Sequence, residues 1–208
     1  MKTTSKWFNY WATRKGDWKH HHLSTWNHPH RQLIAAALKE FHWTNLMEIG
    51  CGAGANIVQI AKQFHGKHLG GVDINPDMIE LAQKTFQNGY FKISSAEDLM
   101  LSDDACQVIL TDMTLIYIGP NKISHVLDEI KRVSRKHVLL CEFHSTSWLE
   151  RLKLYWRTGY FAHNYAKLLT KKGFYDIQFY KIPPEYWPGG EPQKTFAYLI
   201  LARVPRRK

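Results

Sequence analysis

A glycine-rich turn behind an acidic residue is the pattern in this sequence with the clearest chemical meaning. Gly50, Gly52 and Gly54 follow an apolar run that contains Glu48. Because glycine has no Cβ, such a turn can adopt positive φ values and let a ligand approach the backbone closely. The spacing also fits the dinucleotide fingerprint G-x-G-x-x-G/A, with Ala55 in its last place. The turn alone therefore predicts a nucleotide or nucleoside ligand and does not distinguish between them.

Two carboxylates narrow the choice of ligand. Glu48 lies two positions before the first glycine, where its charge would repel a pyrophosphate and favour a ligand that carries positive charge. Asp73 ends the strand-like run 68–73, about 20 residues after the turn, which is the offset at which a carboxylate meets ribose hydroxyls. S-adenosylmethionine combines a ribose with a sulfonium and an ammonium group, so it would suit both carboxylates.

At these residues the sequence resembles the class I S-adenosylmethionine-dependent methyltransferases. The run 48–54 matches the first motif of that family, and 71–81 resembles its second segment, which carries the acid that binds ribose. Further on, 95–99 and 110–117 are similar to the segments that address the adenine and face the substrate. The resemblance implies S-adenosyl-L-methionine as cofactor, S-adenosyl-L-homocysteine as product and methyl transfer as activity.

The resemblance also implies which residues hold the cofactor. Asp73 would bind the ribose diol and Ile74 would pack on the adenine, whereas many relatives carry Asp in the place of Ser95. The full set is Glu48, Gly50, Cys51, Gly52, Gly54, Asp73, Ile74, Ser95, Ala96, Glu97, Asp112 and Met113. In the segment ahead of the first strand, Arg31 or Arg14 is available to meet the cofactor carboxylate.

Three residues are candidates for catalysis: His144, Glu142 and Asp112. They follow or end strand-like runs, so they should emerge at the edge of the sheet that bears the ligand. A base there would help to expose the lone pair of a hydroxyl or ammonium acceptor, and histidine titrates nearest to the working pH. A carboxylate or thiolate acceptor would need no base. The alternative for His144 is a polar residue that ends a strand near solvent.

Strand-like and helix-like patterns alternate along the chain. The predicted strands are 44–49, 68–73, 90–94, 106–111, 138–142, 174–182 and 196–204. The predicted helices are 29–40, 55–65, 76–87, 121–133, 147–160 and 162–172. This order predicts an α/β fold: a Rossmann-like, doubly wound, mostly parallel seven-stranded sheet with an antiparallel C-terminal strand.

Two regions follow from this prediction. Residues 1–43 form an aromatic-rich N-terminal extension and helix, and residues 44–208 form the domain that binds S-adenosylmethionine. The resemblance to the methyltransferase family implies that part of 7–31 closes over the cofactor as a lid. The alternative is that the aromatic residues only fasten the extension to the core.

Composition sets further expectations. The 208 residues carry 28 basic and 18 acidic side chains, which should attract anions. No apolar run is long enough to span a membrane, and the start lacks the apolar centre of a signal peptide, so we expect a cytoplasmic protein. Three cysteines without a C-x-x-C pair favour reduced thiols. We predict no metal site, since the histidine run 20–22, with His28 and His30 nearby, lacks ligand spacing.

These observations favour methyl transfer to an O or N atom of a small metabolite, with an anionic one suggested by the charge. One alternative is RNA or a ribosome-associated protein as substrate; another is a non-catalytic sensor or partner subunit. The missing Asn-Pro-Pro-Tyr type of segment after the fourth strand disfavours DNA bases as substrates. We expect 145–164 and 183–193 to shape the substrate pocket. The aromatic stripe of 147–160 is predicted to pack on the core, with substrate cap, RNA or membrane-surface contact as alternatives.

Overall fold

The computed structural model describes residues 6–15 and 26–205, and the account below concerns those ranges. The histidine run 20–22, Trp18 and the basic tail 206–208 lie outside them. Within the described ranges, no helix has both the length and the apolar character that crossing a membrane requires.

Seven strands form one sheet in the order β3-β2-β1-β4-β5-β7-β6. The strands are β1 (Asn45–Ile49), β2 (His68–Asp73), β3 (Tyr90–Ile93), β4 (Cys106–Asp112), β5 (Ser134–Phe143), β6 (Tyr175–Lys181) and β7 (Ala197–Arg203). The pairs among β1 to β5 are parallel, and β7 runs antiparallel to both β5 and β6. The predicted fold class is confirmed, including the antiparallel C-terminal strand.

The described helices are α1 (Lys6–Thr13), α2 (His30–Ala37), α3 (Ala55–Gln63), α4 (Pro76–Thr85), α5 (Ile123–Val133), α6 (Trp148–Thr158), α7 (Tyr165–Lys171) and α8 (Glu191–Phe196). Asn75 caps α4: its Oδ1 accepts hydrogen bonds from the N–H groups of Asp77 (2.9 Å) and Met78 (3.3 Å). Pro76 follows in the first turn, where a missing N–H is harmless. The predicted start of this helix is therefore confirmed.

Both faces of the sheet are covered, which explains the consecutive buried apolar residues in the middle of β4 and β5, such as 108–110 and 138–141. Neighbouring residues of β4 enter different clusters, Val108 and Leu110 on one side and Ile109 on the other. Residues of α2, α3 and α4 belong to the first cluster, and those of α5 and α7 to the second. The sheet is thus held between two helical layers, and its ligand edge lies at the carboxyl ends of the strands.

Two elements differ from their predictions. Strand β5 starts at Ser134, ahead of the predicted start at 138, and its charged residues Arg135 and Lys136 are exposed. The segment 183–193, predicted as a loop, contains a short 3₁₀ turn (Pro184–Tyr186) and the first residues of α8. The division into 1–43 and 44–208 stays a prediction, although α2 contributes Ile34 to the same buried cluster as the sheet.

The predicted packing of α6 through its aromatic stripe is wrong. The helix meets the core through Leu154, which is 1% exposed, whereas Trp148 and Trp156 are 64% and 77% exposed. The apolar period correctly predicts a helix, but the side of the helix that packs on the core is the one opposite the aromatic stripe.

Candidate functional site

The glycine turn connects the carboxyl end of β1 with the start of α3. In the sheet, β1 lies between β2 and β4. The N–H groups of Gly50 and Cys51 donate to Val72 O of the neighbouring strand, at 2.7 and 3.0 Å. Gly50 has φ +74°, and a Cβ built on it would collide with the side chain of Thr114 from the loop after β4. Glycine is therefore required at this position for two separate reasons, conformation and space.

Asp73 faces this turn from the end of β2. Its Oδ2 accepts a hydrogen bond from Gly52 N at 2.8 Å, and its Oδ1 accepts one from Asn75 N at 2.9 Å. Burial raises the pKa of the Asp73 carboxyl, and the backbone hydrogen bonds from Asn75, Gly52 and Ile74 oppose that rise. The carboxylate is thus held in a fixed orientation at the wall of a cavity.

That cavity has a volume of about 260 Å³ and is bounded by the carboxyl ends of β1 to β4 and by α1. Of the residues predicted to bind a cofactor, its lining includes Arg31, Gly50, Gly52, Asp73, Ile74, Ser95, Ala96, Glu97, Asp112 and Met113. The other three, Glu48, Cys51 and Gly54, are buried and do not line it. The structure therefore brings most of the predicted set around one space.

Asp112 is the centre of a buried polar network at this cavity. Its Oδ2 lies 3.0 Å from His30 Nε2, and accepts hydrogen bonds from Arg31 Nη1 (2.9 Å) and Asn56 Nδ2 (3.0 Å). Burial raises the pKa of the Asp112 carboxyl, but His30, Arg31 and Asn56 lower it by more, so it stays well below its usual value. The group is ionised, and its buried Oδ1 has no hydrogen-bond partner within the described ranges.

Glu48 does not line the cavity and is connected to the lining residue Asp112 by the side chain of Asn56. Asn56 Nδ2 donates to Glu48 Oε1 at 2.6 Å and to Asp112 as well. Burial raises the pKa of the Glu48 carboxyl to about 8, and the hydrogen bond from Asn56 offsets only part of the rise. We expected Glu48 to face a positively charged ligand directly, whereas the structure places it one layer behind the lining.

His30, Asp112 and Cys141 each offer one atom to a cluster in which all three atoms lie within 4.8 Å of one another. Such a group resembles part of a metal site. However, the Arg31 guanidinium lies on the same Asp112 oxygen as His30, and burial raises the pKa of the Cys141 thiol well above its usual value. A cation would therefore have to compete with a guanidinium and deprotonate a buried thiol.

Glu142, a predicted catalytic residue, is fully buried and does not line the cavity. Its Oε1 accepts hydrogen bonds from the N–H groups of Thr114 and Leu115, both at 3.0 Å. Burial raises the pKa of the Glu142 carboxyl to about 8, although these hydrogen bonds lower it. The side chain fixes the loop in which Met113 has φ +52° and Thr114 packs against Gly50.

His144, the other predicted base, also lies outside the lining. Its Nδ1 lies 3.1 Å from His163 O and 3.2 Å from Tyr165 N, and its ring centroid lies 4.6 Å from that of Phe179. Burial lowers the pKa of the imidazole. Its contacts are those of a residue that joins α7 to the sheet, and its catalytic role stays a prediction.

An aromatic helix lines one part of the cavity wall. Trp7, Phe8 and Trp11 of α1 are part of the lining, as is Tyr117. The ring centroids of Trp7 and Trp11 lie 5.2 and 4.9 Å from that of Tyr117, and Trp7 Nε1 donates to Gly159 O at 3.1 Å. These contacts hold α1 against the loop after β4.

Asn75 ties the same helix to β2. While its Oδ1 caps α4, its Nδ2 donates to the carbonyl oxygens of Trp11 (2.9 Å) and Arg14 (3.1 Å). One side chain therefore connects the end of α1 with the start of α4 and with the strand that carries Asp73.

The two segments predicted to shape a substrate pocket contribute no lining residue. Instead, each segment places one aromatic ring against residues that surround the cavity. Tyr160 packs on Trp7 and Tyr117, and the Trp187 ring stacks on the His30 imidazole with centroids 3.9 Å apart.

Sequence reasoning missed four residues that organise the site. Asn56 and His30 carry no local motif, and they meet the predicted residues only through the fold. Asn75 lies just ahead of the predicted helix 76–87, and its contacts with α1 need the tertiary structure. Tyr117 ends the run 110–117, which resembles the substrate-facing segment of the family, and the aromatic richness of the N-terminal extension is a second signal for it, since clustered aromatic residues need partners.

The sequence and the fold are similar to those of known methyltransferases. Residues 46–137 match the family model described as a methyltransferase domain. An O-methyltransferase of Aspergillus nomiae is 25% identical over 132 residues, which cover 55% of this chain and 57% of that relative. The match thus spans little more than half of that relative's length.

Solved structures share the fold at low identity. A chain of the complex between the Haloferax volcanii Trm112 methyltransferase activator and a methyltransferase superposes with TM-score 0.72 at 16% identity, covering 92% of this chain and 96% of that one. Magnesium protoporphyrin IX methyltransferase from Synechocystis PCC 6803, with bound SAH, gives TM-score 0.64 at 15% identity and covers 92% and 90%. Geranyl diphosphate C-methyltransferase from Streptomyces coelicolor gives 0.67 at 13%, covering 84% and 76%.

Proposed function

We propose that this protein, whose residues 46–137 belong to the class I S-adenosylmethionine-dependent methyltransferases, transfers a methyl group to an O or N atom of a small molecule. The observation that supports the small-molecule part is the aromatic helix α1, which covers part of the cavity with Trp7, Phe8 and Trp11. An RNA or protein acceptor would need a wider groove beside the transferable methyl group.

The residues around the cavity fit S-adenosylmethionine. Asp73 presents a fixed carboxylate at the end of β2, where it would accept hydrogen bonds from the ribose hydroxyls. Asp112 is ionised and has a buried oxygen without a partner in the described ranges, which the ammonium group of the methionine part would satisfy. Ile74 and Ala96 supply apolar surface for the adenine.

The cavity lining does not single out an anionic acceptor. Arg31 is the only basic side chain among the described lining residues, and it is paired with Asp112. Three acids, Asp73, Glu97 and Asp112, share the wall, and Glu97 is paired with Lys122 at 2.8 Å. The excess of basic residues that suggested an anionic substrate therefore lies elsewhere, outside this cavity.

Catalysis in this proposal depends on position and on exclusion of water. When bound, the cofactor supplies an electrophilic methyl group on a sulfonium, which a lone pair of the acceptor attacks in line. Trp7, Trp11 and Tyr117 keep water away from the reacting centre. The positive charge of the sulfonium becomes dispersed in the transition state, and water, which would stabilise the more localised charge of the ground state, is kept out. Glu142 acts as a positioning residue because it fixes the loop that carries Met113 and Thr114.

Binding of S-adenosylhomocysteine tests the cofactor site. At a ligand concentration about 100 times Kd, the wild type should gain about 2.7 kcal/mol, which raises Tm by roughly 5–10 °C for a chain of this size. Asp73→Ala and Gly52→Val should abolish this gain, while Asp77→Ala, at an exposed position of α4, should keep it. An equal gain in all four proteins would remove the assignment.

The acceptor is tested by measuring S-adenosylhomocysteine release with panels of small phenols, amines and hydroxylated compounds and, separately, with RNA. The proposal expects turnover with members of the small-molecule panel. Turnover with RNA alone would favour the alternative substrate, and tight cofactor binding without release in any panel would favour a non-catalytic sensor.

A further inference from the structure

Helix α6 turns a large apolar face away from the core. Trp148, Leu149, Leu152, Tyr155 and Trp156 are each at least 40% exposed. We call these five residues the α6 face. Scattered exposed apolar residues are ordinary, but a contiguous patch with two tryptophans marks an interaction surface.

The five residues form one continuous stripe. Successive residues of an α-helix are turned by about 100°, so the α6 face spans an arc of about 120°. Leu154, which anchors the helix, points to the opposite side. The arc is contiguous because Trp148, Leu152 and Trp156 follow one another at intervals of four residues.

Cations border this stripe. Arg151 and Lys153 each lie about 40° beyond one edge of the arc, and Arg157 is exposed further round the helix. Glu150, the one acid of α6, lies on the far side and accepts a hydrogen bond from Ser145 Oγ at 2.6 Å. An apolar face with tryptophans, bordered by Lys and Arg, is the pattern of a helix that lies in the interface of an anionic bilayer.

We infer that the α6 face docks on an anionic membrane surface, with Trp148 and Trp156 at the level of the headgroups. A second copy of the chain is a poorer occupant, because two such helices would bring their bordering cations together. RNA would satisfy the cations and could stack on aromatic rings, but it would leave Leu149 and Leu152 without an apolar partner. This inference is independent of methyl transfer.

Cosedimentation with vesicles tests the inference. The full-length protein should bind vesicles of phosphatidylcholine with phosphatidylglycerol, bind phosphatidylcholine alone about tenfold less tightly, and lose affinity as salt rises. Trp148→Ser with Trp156→Ser should reduce binding at least about tenfold. The matched control is Tyr90→Ser with Met100→Ser, which replaces two large exposed residues elsewhere and should bind like the wild type.

A second variant separates the charges from the apolar face. Lys153→Glu with Arg157→Glu should reduce binding to the anionic vesicles and leave the weak binding to phosphatidylcholine unchanged. All variants change exposed side chains, and an unchanged Tm verifies that each is folded. The inference is overturned if the wild type does not sediment with anionic vesicles, or if the tryptophan and control variants bind alike. It is also overturned if the tryptophan variant instead abolishes a dimer or RNA binding.

Discussion

Replacing Asn75 by serine should release the aromatic helix α1 without removing the cap of α4. Serine can accept hydrogen bonds from the first-turn N–H groups as asparagine does. Its hydroxyl is too short to replace the Nδ2 group that donates to the carbonyl oxygens of Trp11 and Arg14, at 2.9 and 3.1 Å. The substitution thus separates the two functions of one side chain.

The size of the effect follows from the two lost hydrogen bonds. Each contributes about 0.5–1.5 kcal/mol net, so closure of α1 should weaken by about 1–3 kcal/mol, a factor of roughly 5 to 150 in its equilibrium. If the closed helix forms part of the cofactor site, the Kd of S-adenosylhomocysteine should rise by up to that factor, and the amide protons of α1 should exchange faster with solvent.

Calorimetry for Kd and hydrogen exchange for residues 7–13 measure both effects. Asn164→Ser is the matched control, because Asn164 caps α7 through a hydrogen bond from Lys167 N at 3.0 Å. The reasoning is refuted if Asn75→Ser leaves both the exchange of α1 and the Kd unchanged. It is also refuted if Asn164→Ser, which is expected to behave like the wild type in both assays, changes them equally.

Three further substitutions test the site. Gly50→Ala should destabilise the fold by about 1–3 kcal/mol in denaturant unfolding, because the new Cβ collides with Thr114. Glu142→Gln should flatten the fall in unfolding free energy that we expect for the wild type between about pH 5 and pH 9. His144→Ala should lower Tm, since the contacts of His144 Nδ1 with Tyr165 N and His163 O are lost; if the predicted catalytic role holds, kcat should also fall in the folded variant, and an unchanged kcat would remove that role.

The sign of the pH effect follows from the raised pKa of the Glu142 carboxyl, which is about 8 in the folded protein against an ordinary value of 4.5. The proton is bound more tightly in the folded state, so the stabilising contribution is complete below pH 4.5 and is lost as the pH rises through 8. Glutamine cannot ionise and shows no such loss. Parallel curves for the wild type and Glu142→Gln would contradict this reasoning.

Much of the fold was predictable because local signals agreed with it. Strand and helix periods alternate, and the cap formed by Asn75 with Pro76 defines the start of α4. Two features resisted prediction for physical reasons. Arg135 and Lys136 are exposed and charged, so the first residues of β5 do not show the apolar pattern of a strand. The apolar stripe of α6 predicts an amphipathic helix but not whether the rest of the chain covers that stripe.

The site divides in the same way. The glycine turn and Asp73 are recognised by short, local residue spacings, so the sequence predicts their positions well. His30 and Asn56 meet Asp112 from more than 50 residues away, and no local pattern encodes such meetings. Glu142 illustrates a third case: its place at the end of β5 was right, while its orientation toward backbone N–H groups depends on the loop it supports.

The stacking of Trp187 on His30 links the proline-rich connection after β6 to the carboxylate network. This connection lies outside residues 46–137, which match the family model. Because the ring of Trp187 covers one face of the His30 imidazole, whose Nε2 lies 3.0 Å from Asp112 Oδ2, the orientation of that imidazole depends on position 187. The ionised carboxylate at the end of β4 is therefore supported from a segment more than 70 residues further along the chain.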